Sequence, residues 1–131
     1  MVKISVMKPD QTFALLGALS GFVAVAAGAF GAHGLRERLS AEMLAVFETG
    51  ARYQMYHALA LLASGWAAAR WPGAAPQISG WAFFTGTILF SGSLYLLSLT
   101  GIRWLGAVTP LGGLAFLIGW LSLAWGIWKA A

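Results

Sequence analysis

The sequence predicts an all-α membrane protein: a four-transmembrane-helix bundle with a short amphipathic interfacial helix between helices one and two. Three observations carry that expectation. The chain of 131 residues is 60% hydrophobic and only 9% charged, against roughly 45–50% apolar and about 25% charged in soluble domains. Its charge-free stretches fall into four windows, each close to the roughly 20 residues a helix needs to cross about 30 Å of hydrocarbon. Its charged residues stand at the ends of those windows rather than along a polar face. A soluble fold of this size could not hide so much apolar surface, whereas a bilayer solvates it.

The elements follow in order along a single domain, residues 1–131. Helix one is expected at about residues 13–33. Lys3 and Lys8 precede it as in a secretion signal. However, the run from Gln11 to Leu35 carries no formal charge other than that of His33, and it exceeds the roughly 7–15 apolar residues of a signal core. It therefore reads as a retained helix. From Leu35 to Thr49 the chain turns polar, with Arg36, Glu37, Arg38, Glu42 and Glu48. Ser40 suits an N-cap, and Glu42 suits the positive end of a helix dipole. Leu39, Met43, Val46 and Phe47 recur at helical spacing, so Ser40 to Phe47 reads as an interfacial helix. It either bends at Gly50 or runs straight into helix two.

Helix two is expected at about 52–71, ended by Trp71-Pro-Gly-Ala-Ala-Pro76, a segment whose prolines and glycine break a helix. Helix three is expected at about 78–99 and helix four at about 104–128, with Thr100 to Trp104 as the turn between them. Pro110 lies inside the fourth window. There it predicts a missing backbone donor, a kink and a carbonyl near Gly106 left to neighbouring groups. The short connections predict that helices two, three and four are antiparallel neighbours in sequence order.

Seventeen glycines and other small residues mark faces for close approach. Gly17 pairs with Gly21, Ala60 aligns with Ser64 and Ala68, and Ser91-Gly-Ser93 serves helix three. Four crossings put both termini on one side of the membrane, with Trp71, Trp81, Trp125 and Trp128 in the aromatic belt there. The eight basic residues divide evenly, Lys3, Lys8, Arg70 and Lys129 against Arg36, Arg38, Arg52 and Arg103. The positive-inside rule is thus a tie. The dominance of the first helix puts both termini in the cytoplasm.

One polar cluster stands out: His33, Glu48, Arg52, Tyr53, Gln54, Tyr56, His57 and Arg103. Four crossings bring all of them to the side opposite the termini. Glu48 stands four residues before Arg52, the favourable order for a helical ion pair. At 100° per residue His57 shares a face with Tyr53, Ala60, Ser64 and Ala68. It therefore points into the bundle, where polar groups in membranes belong. His33, at the end of helix one, is expected to reach the same cavity. The first reading of the cluster is interhelical packing. Behind it come a pocket for a lipid head group, quinone or other small ligand, then a two-histidine metal or haem site lacking a third ligand, then a proton relay.

Catalytic signatures are missing. There is no cysteine, no phosphate loop, no HExxH and no nucleophile elbow. Helices one, three and four carry no interior carboxylate. The basic residues form no clustered stripe, which excludes a nucleic-acid binder. No cofactor is expected, and the expected partners are membrane lipids and a larger membrane-protein complex or a homo-oligomer.

Four segments carry a family resemblance: Gly28-Ala-Phe-Gly-Ala-His-Gly-Leu35, Tyr53-Gln-Met-Tyr-His-Ala-Leu-Ala-Leu-Leu62, Phe90-Ser-Gly-Ser-Leu-Tyr95, and Thr109-Pro-Leu-Gly-Gly113 with Gly119-Trp120. Together and in this order they resemble the YgdD/YwdK-like family of small multi-helix membrane proteins, a domain of unknown function. The resemblance covers nearly the whole chain. It implies a protein of the bacterial cytoplasmic (inner) membrane and brings no activity, substrate or catalytic residue with it. The functional expectation is a non-enzymatic accessory, assembly or interaction subunit of a membrane complex. The alternatives are a small oligomeric transporter or channel, or a membrane binder of a lipid, quinone or metal through His33 and His57.

Overall fold

The computed structural model describes residues 6–131, so Lys3 lies outside the described residues. Four long helices follow one another: α1 (Pro9–His33), α2 (Ala41–Arg70), α3 (Ala74–Thr100) and α4 (Thr109–Lys129). A 3-10 segment, Arg103–Ala107, leads into α4. Local chemistry sets the ends. Pro9 opens α1, where a missing N–H costs nothing. The Ser40 hydroxyl accepts the Met43 N–H at 3.2 Å and caps α2 as its sequence suggests. Gly101 ends α3 in the left-handed region, at φ 71°, and its N–H returns to the Leu97 carbonyl at 2.8 Å.

Three expectations change in detail. The segment from Ser40 to Phe47 is helical from Ala41 but is no separate element, because α2 passes through Gly50 without a break. Gly50 serves close approach rather than bending: a Cβ there would meet the Tyr95 ring at 3.1 Å, and its carbonyl accepts the Ser91 hydroxyl at 2.7 Å. Packing against α3 therefore holds the early turns of α2 in line with the rest. Pro110 falls in the first turn of α4 rather than in its interior. The 3-10 segment takes up the start of the fourth window, so no kink arises. Gly92 has nothing within 4 Å of its Cβ position and faces outward. The close contacts there belong to Ser91 and Ser93.

Among the described residues, three segments have the length and composition to cross a membrane: Pro9–His33, Ala74–Thr100 and Arg103–Lys129. The 30-residue α2 is the polar one, and it is central. It packs against both α1 and α3, while α4 packs mainly on α3 and reaches α2 at a few points. α1 and α4 do not meet.

Glycines facing phenylalanines make this packing tight. A Cβ on Gly80 would stand 2.5 Å from the Phe13 ring, on Gly86 2.5 Å from Phe116, on Gly119 2.6 Å from Phe83, and on Gly31 2.9 Å from Phe47. Gly112 lies directly against the Phe90 backbone, and Gly17 against the Ala58 carbonyl, as its small-residue face predicts. These contacts replace the hydrophobic effect, which does not act between helices immersed in lipid.

Adjacent glycines in α4 give a test. Gly112→Ala forces a Cβ onto Phe90 backbone, so it should destabilise by about 1–3 kcal/mol. Gly113→Ala enters open space and should be neutral or slightly stabilising through helix propensity. Thermal unfolding of both variants in detergent measures the difference, and equal stabilities would contradict the packing described.

Candidate functional site

Polar side chains line the inward face of α2 at helical spacing, and each ties it to a neighbour. Gln54 is 6% exposed. Its Nε2 donates to the Ser20 carbonyl and hydroxyl of α1, both at 3.3 Å, while its Oε1 accepts the Tyr95 hydroxyl of α3 at 2.6 Å. One turn on, His57 is buried and connects to α4: the Trp120 Nε1–H donates to its Nε2 at 3.3 Å. Two turns further, the hydroxyls of Ser64 and Ser79 meet at 2.9 Å across α2 and α3. Ser93 and Thr109 join α3 to α4 at 2.6 Å. Among the described residues, no buried side-chain nitrogen or oxygen lacks a partner.

The partners of His57 fix its proton. Its Nδ1 lies 2.7 Å from the Tyr53 carbonyl, which can only accept. Its Nε2 faces an indole N–H, which can only donate. The ring is therefore neutral, with the hydrogen on Nδ1. Phe116 stacks on it with centroids 3.4 Å apart and planes 2° from parallel. Both nitrogens are occupied within the protein, which argues against their use as metal ligands or proton carriers.

Beside this ring a cavity of ≈ 410 Å³ opens between α2 and α4. Its walls include Tyr53, Tyr56 and His57 of α2, Phe90 of α3, and Phe116 and Trp120 of α4. Tyr53 stands 4.7 Å from Phe90 and 5.5 Å from Tyr56, centroid to centroid. Gly113 and Leu117 of α4 complete a lining that is otherwise aromatic.

The structure gathers part of the sequence-derived cluster here and disperses the rest. Tyr53, Tyr56 and His57 line the cavity, and Gln54 lies beside them in the core. His33 is exposed at the last residue of α1. α1 runs antiparallel to α2, with Gly31 against Phe47 and Gly17 against Ala58. His33 thus sits beside the beginning of α2, whereas His57 lies roughly 24 Å along that helix from Ala41. The expected meeting of the two histidines fails because α2 begins well before Arg52. Glu48 and Arg52 are exposed and flank a groove over Ala24 and Gly28, and no hydrogen bond joins them among the described residues. Arg103 is exposed in the 3-10 segment. Among the described residues no group of three or more His, Cys, Asp or Glu could hold a metal ion.

Phe90, Tyr95, Phe116, Trp120 and Ser20 escaped the sequence-derived cluster. Three of them had a signal. Phe90, Tyr95 and Trp120 fall in the segments that carry the family resemblance, and these converge with Tyr53–Leu62 around His57. Ser20 and Phe116 had none.

A small helical bundle with a polar central helix and apolar outer ones defines a class of compact integral membrane protein. The comparisons agree. A family model described as "Protein of unknown function (DUF423)" matches residues 27–113, and the chain belongs to that family. It is 50% identical over 119 residues to the UPF0382 membrane protein SSP2132 of Staphylococcus saprophyticus, covering 91% of this chain and 98% of that protein. It is 47% identical over 114 residues to the UPF0382 membrane protein YwdK of Bacillus subtilis, covering 86% and 93% respectively. A UPF0382 membrane protein of Haemophilus influenzae is 45% identical over 115 residues, covering 88% and 92%. No solved structure matches the chain.

The Gln54–Tyr95 bond can be isolated by a double-mutant cycle. Gln54→Leu and Tyr95→Phe should each destabilise the bundle. The double variant should lose less than the sum, with a coupling of about 0.5–1.5 kcal/mol, the range for hydrogen bonds between membrane helices. Additive losses in unfolding experiments would mean the bond contributes nothing net.

Proposed function

We propose that this chain is a four-span, non-enzymatic subunit that works by binding other membrane components, as an accessory or assembly factor in a larger complex. One observation supports this most: the interior polar groups of α2 are spent on its own neighbours, which leaves the interior as scaffold and the outer faces as the working surface. Those faces carry large exposed apolar side chains, such as Phe22 on α1 and Leu121 on α4, at 74% and 72% exposure. Gly28 and Gly113 stand there with nothing within 4 Å of their Cβ positions. Such sites let another helix approach closely.

The fourth crossing is α2. Its charge-free stretch from Tyr53 to Ala69 is about 26 Å long, close to the hydrocarbon thickness. Arg52 and Arg70 bracket it. The Arg70 guanidinium lies 6.0 and 5.6 Å from the Trp66 and Trp71 ring centroids, an arrangement suited to a membrane edge. The start of α1, the α2–α3 connection and the end of α4 lie at one end of the bundle, with Asp10 near Gly65 and Ala75 near Gly126. This supports termini on a common side, here proposed to be the cytoplasmic side of a bacterial inner membrane.

Two measurements test the proposal. Reporters fused to each end should both report the cytoplasm; opposite sides would refute an even number of crossings. Native mass spectrometry after gentle solubilisation should find a stable, different partner chain. A closed homo-oligomer alone would favour a transporter or channel instead.

A further inference from the structure

The antiparallel α3 and α4 leave a long groove between them. Its mouth is a cavity of ≈ 570 Å³ walled by the α2–α3 connection, the first turn of α3 and the last turns of α4. Farther along the two helices lies a second cavity of ≈ 710 Å³. Both are lined by Ala74 and Ile78, so they adjoin as one groove. On α4 the lining recurs at Lys129, Gly126, Ser122, Ile118 and Ala115, a single face at helical spacing. From Lys129 to Ala115 that face is about 21 Å long, more than the roughly 15 Å of half a hydrocarbon core.

Small residues make the space. Ala82 and Ala115 line the inner part between the larger Ile78, Trp81 and Ile118. At the mouth, Gly126 lets the end of α4 close onto the start of α3, where its Cβ would stand 3.1 Å from that of Ala75.

The chemistry changes along the groove. Its inner part carries no charged side chain. Both helices that flank it have the length and composition of membrane spans, so this part faces hydrocarbon. The mouth is more polar. Lys129 and Ser122 line it, with Trp71 and Trp125 beside them as in an interfacial belt. Arg70 brings a second cation near, its guanidinium 5.6 Å from the Trp71 ring centroid. No acidic side chain lines either part. At this end of the bundle Lys8, Arg70 and Lys129 stand against Asp10 alone among the described residues.

Charge and length together select the occupant. An uncharged, open groove between two spans suits an acyl chain. A basic mouth without a carboxylate, at the level of the tryptophans, suits an anionic head group. We propose that this groove holds an anionic phospholipid, its phosphate at Lys129 and one acyl chain running past Ile78 and Trp81 to Ala115. The proposal rests on α3 and α4 lying in the membrane and not on the subunit reading, so it stands whether or not a partner chain is recovered.

The test is native mass spectrometry of the delipidated full-length protein in a non-ionic detergent. It is titrated with phosphatidylglycerol or with phosphatidylcholine of the same acyl chains. The wild type should take up one phosphatidylglycerol saturably, about fivefold more tightly than phosphatidylcholine. Lys129→Gln should lower phosphatidylglycerol to the phosphatidylcholine level. Arg36→Gln, exposed at the opposite end of the bundle, should change neither. Ala115→Phe fills the inner groove and should weaken both lipids, with unchanged helicity by circular dichroism. Equal binding of the two lipids by the wild type, or equal losses from Lys129→Gln and Arg36→Gln, would overturn the proposal. Displacement of the lipid by inorganic phosphate would do the same, since the mouth would then hold a bare anion. Unchanged binding by Ala115→Phe would remove the chain from the groove. Protein recovered only as a dimer that takes up no lipid would put a second copy there instead.

Discussion

An amide side chain buried among apolar helices must find its hydrogen-bond partners on its neighbours, because a buried polar group left unpaired costs free energy. Gln54 meets that constraint from the middle of α2, reaching α1 through Ser20 and α3 through Tyr95. His57 does the same toward α4 through Trp120. These two residues, one turn apart, reach every other helix of the bundle. They also explain why α2 is central. It is the most polar of the four by composition, and it turns its polar face toward three partners that satisfy it.

Directional bonds fix register, and register decides whether the glycines meet the rings. With Gln54 against Ser20, Gly17 comes level with Ala58; with Ser64 against Ser79, Gly80 receives Phe13. A shift of one residue along any of these helices would set a phenylalanine against a side chain instead of a glycine. The polar contacts are each modest in energy, about 0.6 kcal/mol on average where measured in membrane proteins. Their larger effect is to select one packing among several apolar ones that lipid alone would not distinguish.

Much of this was legible in the sequence. The helical class, Ser40 as N-cap, the break after Arg70 and the inward direction of His57 all follow from composition and from spacing along one helix, although the expected loop Trp71–Pro76 is shorter, since α3 already starts at Ala74 and takes Pro76 into its first turn. What failed was information that crosses helices. The pairing of His33 with His57 assumed that helix two begins near Arg52. Its unbroken course from Ala41 through Gly50 is packed by Phe47 and Gly50 against Tyr95 of α3, with centroids of Phe47 and Tyr95 4.9 Å apart. Pro110 was misplaced for a related reason. Its role depends on where α4 starts, and the preceding 3-10 turn, with Leu105 buried, sets that start. The ring lining of the cavity comes from three helices, so no local pattern in the sequence announces it.

The same economy separates scaffold from surface. A histidine in a membrane helix is ordinarily read as a functional residue, yet His57 has no hydrogen-bonding capacity left once Tyr53 and Trp120 are counted. Its contribution to any site is geometric: it stacks on Phe116, holds the Trp120 indole at the cavity's deeper edge and thereby shapes a space it does not chemically serve. The unspent polar groups stand one layer out, on Tyr53 and Tyr56. In a bundle whose interior is closed by its own hydrogen bonds, recognition has to begin where that closure ends, and between α2 and α4 it ends at the exposed Tyr53 and Tyr56, which share a cavity with Gly113.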